Sequence, residues 1–271
     1  MPNKLWQVFV GHCEETFKVD FYSNIGNDSL KAVGQYCLNM KIVVLKNCPL
    51  IEDHGIAVLF YLAGSVLIEV WLQGLCISDL SLGILFKCFT KLETLSFVSC
   101  IGVEDYPLTL VAPCCHSLVS LSIGNCPGVG NTTIDVVGGR CCKLTYIDLN
   151  GLLRVTNEGL IPLVKNCAAN LVEVNLGGCV NIMDISVLVI VKLNRGSLKS
   201  LLVDGCRHVV DATLVKILNS CWMLNVLDVS KCGIIVLGIK TLTSAIQLHL
   251  QTLSLFDCTF VSDNFLPFLL N

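Results

Sequence analysis

Cysteine and histidine are the residues of this chain with the widest chemical scope, because both bind metals and both serve in nucleophilic catalysis. The sequence has 17 cysteines and 5 histidines. Cys114-Cys115-His116 is the densest group, but adjacent residues on a helix point apart and do not share one ion. Cys141-Cys142 has no histidine beside it. Since no paired cysteines and histidines have a zinc-site spacing, we expect neither a metal nor a cofactor.

Motifs for nucleotide binding and hydrolysis are also missing from the sequence. Neither the phosphate-binding loop G-x-x-x-x-G-K-[ST] nor a nucleophile elbow occurs. We therefore expect a protein that is not an enzyme, although a Cys–His pair brought together by folding stays open on the sequence alone. No run of lysine and arginine indicates a nucleic-acid partner.

Seven cysteines recur at one interval, which favours a structural use. Each ends a copy of the pattern L-x-x-L-x-L-x-x-C, which returns about every 26 residues and is typical of a leucine-rich-repeat solenoid. Their odd number disfavours disulfides between neighbouring repeats. We expect buried free thiols that hydrogen-bond the turn backbone, in a reducing compartment. The seven are Cys48, Cys100, Cys126, Cys179, Cys206, Cys232 and Cys258.

The repeat copies cover almost the whole chain. Clean copies begin at Leu92, Leu118, Leu171, Leu198, Leu224 and Leu250, variants begin at Met40, Leu67 and Leu144, and a worn copy begins at Glu14. Inside each copy, apolar and variable residues alternate, which predicts a short half-buried strand.

A helix should follow each strand. Asp or Asn recurs where a helix N-cap belongs, at Asp53, Asp79, Asp105, Asn131, Asn157, Asp184, Asp211 and Asp263. One copy has Val236 in this place, so we expect a frayed helix start there. The helices should end at or beside a second series of cysteines, Cys37, Cys88, Cys114/Cys115, Cys141/Cys142, Cys167 and Cys221.

Strand, helix and parallel strand form a right-handed crossover, and stacked crossovers build an α/β solenoid. We expect a horseshoe of about ten repeats of roughly 26 residues, with a parallel sheet on the concave face and helices on the convex face. One domain should span 1–271, with a degraded first repeat or cap at 1–24 and cysteine-containing repeats at 25–271. The longest apolar run, 55–68, is too short for a membrane span. The C-terminal FLPFLLN has no polar capping repeat after it, so we expect a piece of a longer solenoid or a chain that needs a partner.

The variable strand residues should face outward on the concave sheet. Acids outnumber bases six to two, with Asp20, Glu69, Asp148, Glu173, Asp204 and Asp228 against Lys18 and Lys46. This favours a protein partner with a basic segment, anchored on aromatic side chains; a merely solvated face is the alternative. The candidate binding residues are Glu69, Trp71, Gln73, Tyr146, Asp148, Asn150, Glu173, Asn175, Asp204, Asp228 and Phe256.

The stretches CPLIEDHGIAVLF, LVEVNLGGCVNIMD and LLVDGCRHVVDATLV resemble the cysteine-containing repeats of F-box proteins. With LSIGNCPGVGN, LDVSKCGI and VSDNFLPFLL, they are similar to the plant F-box/leucine-rich-repeat proteins that bind the ethylene-insensitive class of transcription factors. The resemblance runs from about Ile25 to the last residue.

This resemblance implies a substrate receptor of a cullin-based ubiquitin ligase, which holds a transcription factor for ubiquitination and proteasomal degradation. It also implies the nucleus, with the cytoplasm as the alternative, and no catalysis by the receptor itself. Only a short segment precedes the worn first repeat, so we expect a departure from the family in the lack of an F-box, with the ligase adaptor as a partner only if an F-box is supplied elsewhere. A repeat scaffold without a ligase role and a truncated, non-functional copy remain alternatives.

Overall fold

Ten parallel strands lie side by side in one sheet, in the order in which they occur along the chain. The computed structural model describes residues 15–21, 24–78, 88–105, 116–234 and 250–258. Each strand begins two residues after the first position of a repeat copy, because the alternating apolar residues set both its start and its buried side. The strands are β1 (Thr16–Asp20), β2 (Ile42–Lys46), β3 (Glu69–Gln73), β4 (Thr94–Val98), β5 (Ser120–Ser122), β6 (Tyr146–Asp148), β7 (Glu173–Asn175), β8 (Ser200–Leu202), β9 (Val226–Asp228) and β10 (Thr252–Ser254).

Six helices within the described residues connect successive strands and pack against one another. They are α1 (Asn27–Tyr36), α2 (Asp53–Ala63), α3 (Asn131–Arg140), α4 (Asn157–Asn166), α5 (Asp184–Asn194) and α6 (Asp211–Ser220). The predicted α/β solenoid is thus confirmed. Within the described part of the chain, no helix is long and apolar enough to cross a bilayer.

The core lies between the sheet and the helices and consists of the leucine positions of the repeat. In one copy, Leu92, Leu95 and Phe97 are each at most 1 % exposed. Even the worn first copy contributes, since Phe17 and Val19 are buried and β1 pairs with β2 along its full length. Each repeat buries its apolar side against the next one, which is why the chain needs consecutive repeats to fold.

The turn after each strand contains one residue in the left-handed region, and a cysteine follows that residue in seven of the ten turns. This residue is Phe21, Asn47, Gly74, Ser99, Asn125, Gly151, Gly178, Gly205, Lys231 and Asp257 in successive repeats, with φ between 51° and 73°. Cys126 Sγ donates to the Phe97 carbonyl at 3.0 Å, and Cys232 Sγ to the Val203 carbonyl at 3.1 Å. The predicted bond to the backbone is therefore present, and its acceptor lies in the preceding repeat.

The predicted N-cap role of the Asp and Asn series is wrong for the described helices. These residues are the first residues of the helices, and the residue before them is the N-cap. Their side chains reach the next repeat instead, where Asn131 Oδ1 accepts from the Thr156 N–H at 2.9 Å and Asn157 Oδ1 accepts from the Met183 N–H at 3.0 Å. The amide or carboxylate thus caps the neighbouring helix, and Asn27, Asp105 and Asp184 make the same contact. Asp53 Oδ1 accepts from the Ser78 N–H of the next repeat.

Helix ends follow the second cysteine series where they are described. Cys37, Cys141, Cys167 and Cys221 are the C-caps of α1, α3, α4 and α6. The expectations for Asp79, Cys114, Cys115, Val236 and Asp263 lie outside the described residues.

The cysteines of the described ranges are thiols that form no disulfide. Those of the repeated turn are buried, as are the four C-cap cysteines, and Cys76 and Cys142 are exposed. Across the same ranges, no three His, Cys, Asp or Glu side chains are placed to hold a metal ion. Of Cys114-Cys115-His116, only His116 is described, and it is exposed.

Candidate functional site: the concave face of the sheet

The parallel register aligns the outward side chains of the sheet in rows that cross the strands. We call the face that they form the concave face. The first row contains Glu69, Thr94, Ser120, Tyr146 and Glu173. The middle row contains Trp71, Ser96, Ser122, Asp148, Asn175, Leu202 and Asp228. The candidates in these rows therefore share one surface, because the strands pair without slipping.

Asn150, Asp204 and Phe256 occupy a third position that the structure places in the turn after the strand. The strands from β5 onward have three residues, so the third position lies beyond their ends. At β6 the reason is visible, since the Asn150 N–H turns to the Asp148 carboxylate at 3.0 Å. Such a local side-chain bond competes with the strand ladder. Gln73, in the longer β3, does lie in a strand, beside Lys46 and Val98.

Trp71 forms the bulky end of the middle row. Its indole Nε1–H donates to Glu69 Oε2 at 3.0 Å, which fixes the ring on the concave face. Val44 of β2 is its neighbour in register on one side and Ser96 of β4 on the other. Val44 and Trp71 are both half-buried, so part of each apolar side chain stays open to a ligand.

Small side chains line the two strands between Trp71 and Asp148. Ser96 is 3 % exposed and Ser122 is 4 % exposed, although both lie in the outward rows. Ser122 Oγ donates to Asp148 Oδ2 at 2.8 Å. The result is a low floor of hydroxyl groups that separates Trp71 from the residues of β6.

Four carboxylates, which we call the acidic end, come from four consecutive repeats. They are Asp148, Glu173, Asp204 and Asp228. None of them takes part in a salt bridge within the described residues, where the ion pair present joins Lys41 to Glu15. Lys18 and Lys46 lie on β1 and β2, far from this end of the sheet. The first three strands thus carry two bases and two acids, Asp20 and Glu69 being beside the lysines, whereas the acidic end carries four acids on its strands and turns.

Neighbouring charges at the acidic end influence one another. Burial raises the pKa of Tyr146, and the carboxylates of Asp148 and Glu173 raise it further. Burial also raises the pKa of Asp204, and the Asp228 carboxylate adds to this effect, while Lys231 offsets part of it. A cation placed here would relieve this repulsion.

The side chains of Asn150 and Asp204 converge above Gly177. A Cβ at Gly177 would lie 2.1 Å from Asp204 Oδ1 and 2.7 Å from Asn150 Nδ2. Asn175 Oδ1 accepts from the Gly177 N–H at 3.0 Å. Gly177 therefore leaves the space in which three polar side chains approach each other.

Phe256 is separate from the other candidates, since it follows β10 and is 72 % exposed. Lys231 Nζ lies 5.8 Å from the centre of its ring. Sequence reasoning missed Lys231, as well as Ser96, Ser122 and Val44. Ser96, Ser122 and Val44 do occupy outward positions of the repeat pattern, which was a usable signal, but they are neither charged nor aromatic and so were not singled out. Lys231 lies outside those positions.

Solved structures of two other proteins share this architecture. The structure of yeast Rad7 in complex with Elc1 matches with a TM-score of 0.70 and 15 % identity, over 97 % of this chain and 75 % of that chain. An internalin, InlF, from Listeria monocytogenes matches with a TM-score of 0.53 and 17 % identity, over 97 % of this chain and 86 % of that one. The chain has the leucine-rich-repeat fold. No family model matches the chain.

Proposed function

We propose that this solenoid is a protein-binding module and that its concave face holds a basic segment of another protein. The observation that carries the proposal is the acidic end, where four carboxylates from consecutive repeats form no salt bridge within the described structure. Charged groups on an open face give a complementary partner both specificity and a faster encounter. No catalytic step is part of the proposed role.

The bound protein, in this proposal, is a transcription factor of the ethylene-insensitive class, and the solenoid is its receptor in a cullin-based ubiquitin ligase. The resemblance of the repeat stretches to plant F-box proteins supports this assignment. The fold shared with Rad7, which was crystallised in complex with Elc1, supports a role within a protein assembly. The proposed role implies the nucleus as its location, with the cytoplasm as the alternative.

Charge reversal tests the binding role. Glu173 is exposed, and Asp135 is an equally exposed acid on helix α3, so Glu173→Lys and Asp135→Lys change the net charge equally. We expect Glu173→Lys to weaken binding of a recombinant ethylene-insensitive factor about fivefold or more, since it replaces attraction by repulsion. Asp135→Lys should leave the affinity unchanged. Equal effects of the two variants, measured by calorimetric titration, would exclude binding at the concave face.

The ligase role needs a separate measurement. A pull-down with the ligase adaptor, using the chain fused to an F-box, should recover adaptor and transcription factor together. If the factor binds the solenoid but the fused chain does not promote its ubiquitination, the alternative of a scaffold without a ligase role is the correct one.

A further inference from the structure

One aromatic and two acidic side chains lie at equal intervals along the middle row of the concave face. Trp71 lies on β3, Asp148 on β6 and Asp228 on β9. The strand register links them through Ser96 and Ser122 on one side of Asp148, and through Asn175 and Leu202 on the other. An apolar group and two carboxylates thus follow one another with a spacing of three strands.

That spacing has a simple counterpart in an extended peptide. Neighbouring strands lie about 4.8 Å apart, so three steps correspond to about 14 Å. An extended chain advances about 3.3 Å per residue and covers this distance in about four residues. A peptide crossing the strands along the middle row would therefore present every fourth side chain to one of the three features.

The floor between these features also favours an extended ligand. Half-buried Asn175 presents an amide on the row, whereas Ser96 and Ser122 are 3 % and 4 % exposed and form a nearly covered, low polar surface beside it. An extended peptide has free backbone N–H and C=O groups that such side chains can satisfy, whereas a helix satisfies its backbone internally. A helix would also need about nine residues to span 14 Å, because it rises only 1.5 Å per residue.

We propose that the concave face binds an extended peptide in which one apolar residue and two basic residues are each separated by four positions. The apolar side chain packs on Trp71 and Val44, the first basic side chain meets Asp148, and the second meets Asp228. The peptide can run in either direction across the strands. Its pattern is therefore an apolar residue, then Lys or Arg four positions later and again eight positions later, or the same pattern in reverse. This inference rests on the proposed function and specifies the segment that the face holds.

The electrostatic surroundings agree with this assignment. Asp148 and Asp228 each use one carboxylate oxygen for a turn N–H, at 3.0 Å from Asn150 and 2.9 Å from Ser230, and the second oxygen of Asp148 accepts from the Ser122 hydroxyl. These bonds hold the carboxylates in place without neutralising them. Neither residue has a cation partner among the described side chains, so an incoming Lys or Arg does not have to displace one.

Synthetic peptides of nine residues test the spacing. In a Gly/Ser background, one peptide carries Leu, Lys and Lys at positions 1, 5 and 9, a second carries them in reverse order, and two controls of identical composition carry them at adjacent positions. We expect one of the spaced peptides to bind about tenfold tighter than both controls in fluorescence anisotropy, because only its Leu side chain can pack on half-buried Trp71 while both Lys side chains meet carboxylates.

Protein variants then assign each contact. Trp71→Ala should bind the spaced peptide only as tightly as the unchanged protein binds the same peptide with its Leu replaced by Gly. Asp148→Asn and Asp228→Asn keep the turn hydrogen bonds and should each weaken binding up to about fivefold, in line with exposed ion pairs. Asp135→Asn on helix α3 is the matched control and should change nothing. Circular dichroism and the urea midpoint establish that each variant folds.

The possible failures are distinguishable. Equal affinity for spaced and adjacent peptides, or no effect of Trp71→Ala and Asp228→Asn on a peptide that binds, overturns the four-residue spacing and leaves a basic partner in place. Tighter binding of a helical peptide with its Leu and Lys about nine residues apart also overturns it. If no basic peptide and no ethylene-insensitive factor binds, the proposed function fails together with the inference.

Discussion

At the scale of single residues, the buried cysteines act as small donors that link one repeat to the one before it. Cys179 Sγ donates to the Leu149 carbonyl at 3.0 Å and Cys258 Sγ to the Val229 carbonyl at 3.2 Å. Burial raises the pKa of Cys100 and Cys232 to about 12 and that of Cys179 to about 11. A thiol that keeps its proton is a donor and a poor nucleophile, which explains why a cysteine-rich chain need not be a reactive one.

Alkylation should therefore divide the described cysteines into two groups. With iodoacetamide at pH 8, we expect Cys76 and Cys142, which are exposed, to react within minutes. Cys126, Cys179 and Cys206, which are fully buried, should react only through unfolding, because the thiolate is both inaccessible and unpopulated. Peptide mass spectrometry of native and urea-treated samples measures this. Rapid native labelling of Cys179 would contradict the assigned burial.

Alkaline pH should destabilise the fold for the same reason. The folded pKa of Cys232 is raised to about 12, whereas an unfolded thiol titrates near about 8.5. As the pH rises, the thiol therefore loses its proton first in the unfolded state. The contribution of the protonated thiol to the free energy of unfolding is fully present below about pH 8.5 and declines up to about pH 12. The decline is about 1.4 kcal/mol per pH unit for each such thiol. Urea unfolding at pH 8, 9 and 10 measures the slope. Cys232→Ala should remove the share of one thiol from the dependence of the free energy of unfolding on pH. An unchanged slope would contradict the prediction.

At the scale of the element, the turn after each strand needs one left-handed residue, and glycine is best suited to it. Gly151 and Gly178 adopt the same φ, 70° and 71°, but their surroundings differ. A Cβ at Gly151 would lie 2.2 Å from Asn125 Oδ1, whereas at Gly178 the nearest atoms are 3.4 Å away in Gly151. Asn125 Nδ2 also donates to Asn150 Oδ1 at 3.2 Å, so the turn and the concave face are connected.

This pair of glycines separates backbone strain from steric contact. Gly178→Ala should lower the free energy of unfolding by about 1 to 2 kcal/mol, the strain of a left-handed residue with a Cβ. Gly151→Ala should cost roughly 1 kcal/mol more, because Asn125 must turn away and lose its bond to Asn150. Urea denaturation measures both variants. In an Asn125→Gly background the two alanine variants should become equal, and a persistent difference would show that Asn125 is not its cause.

The elements also show what the repeat pattern could and could not predict. Strand starts were predictable because the apolar period of Leu92, Leu95 and Phe97 specifies them locally. The Asp and Asn series was misread because a first-turn Asn157 looks the same in sequence whether it caps its own helix or the next one. Only the stacking distance between repeats decides this, and the N–H of Met183 lies 26 positions away.

The site was predictable to a similar degree. The excess of acids followed from counting outward positions, but their separation from Lys18 and Lys46 depends on the order of strands in the sheet. The bond from Trp71 to Glu69 and the buried Ser96 and Ser122 depend on side-chain packing, for which the pattern has no signal.

At the scale of the whole molecule, each repeat packs only on its neighbours along the chain, so stability is a sum of similar interfaces. Central strands such as β7 pair on both sides, while β10 pairs with β9 within the described residues. Leu171, in the repeat of β7, is fully buried, and Leu253 of β10 is half-buried. The acidic end lies in this half of the solenoid, so the interfaces of β6 to β9 hold the proposed binding residues in register.

Truncating a leucine should therefore have a position-dependent effect. Leu171→Ala should lower the free energy of unfolding by about 2 to 5 kcal/mol, because it leaves a cavity between two interfaces. Leu253→Ala should cost less than about 2 kcal/mol, since part of its side chain is already in water. Hydrogen exchange should then rise across β6 to β8 in the first variant and only around β9 and β10 in the second.

Because the peptide proposed above spans β3 to β9, Leu171→Ala should weaken its binding at temperatures where β6 to β8 open, whereas Leu253→Ala should preserve it. If both variants lose the same free energy of unfolding and show equally widespread hydrogen exchange, the solenoid unfolds as one unit. This result would contradict the prediction, which assumes that each repeat is stabilised by its direct neighbours.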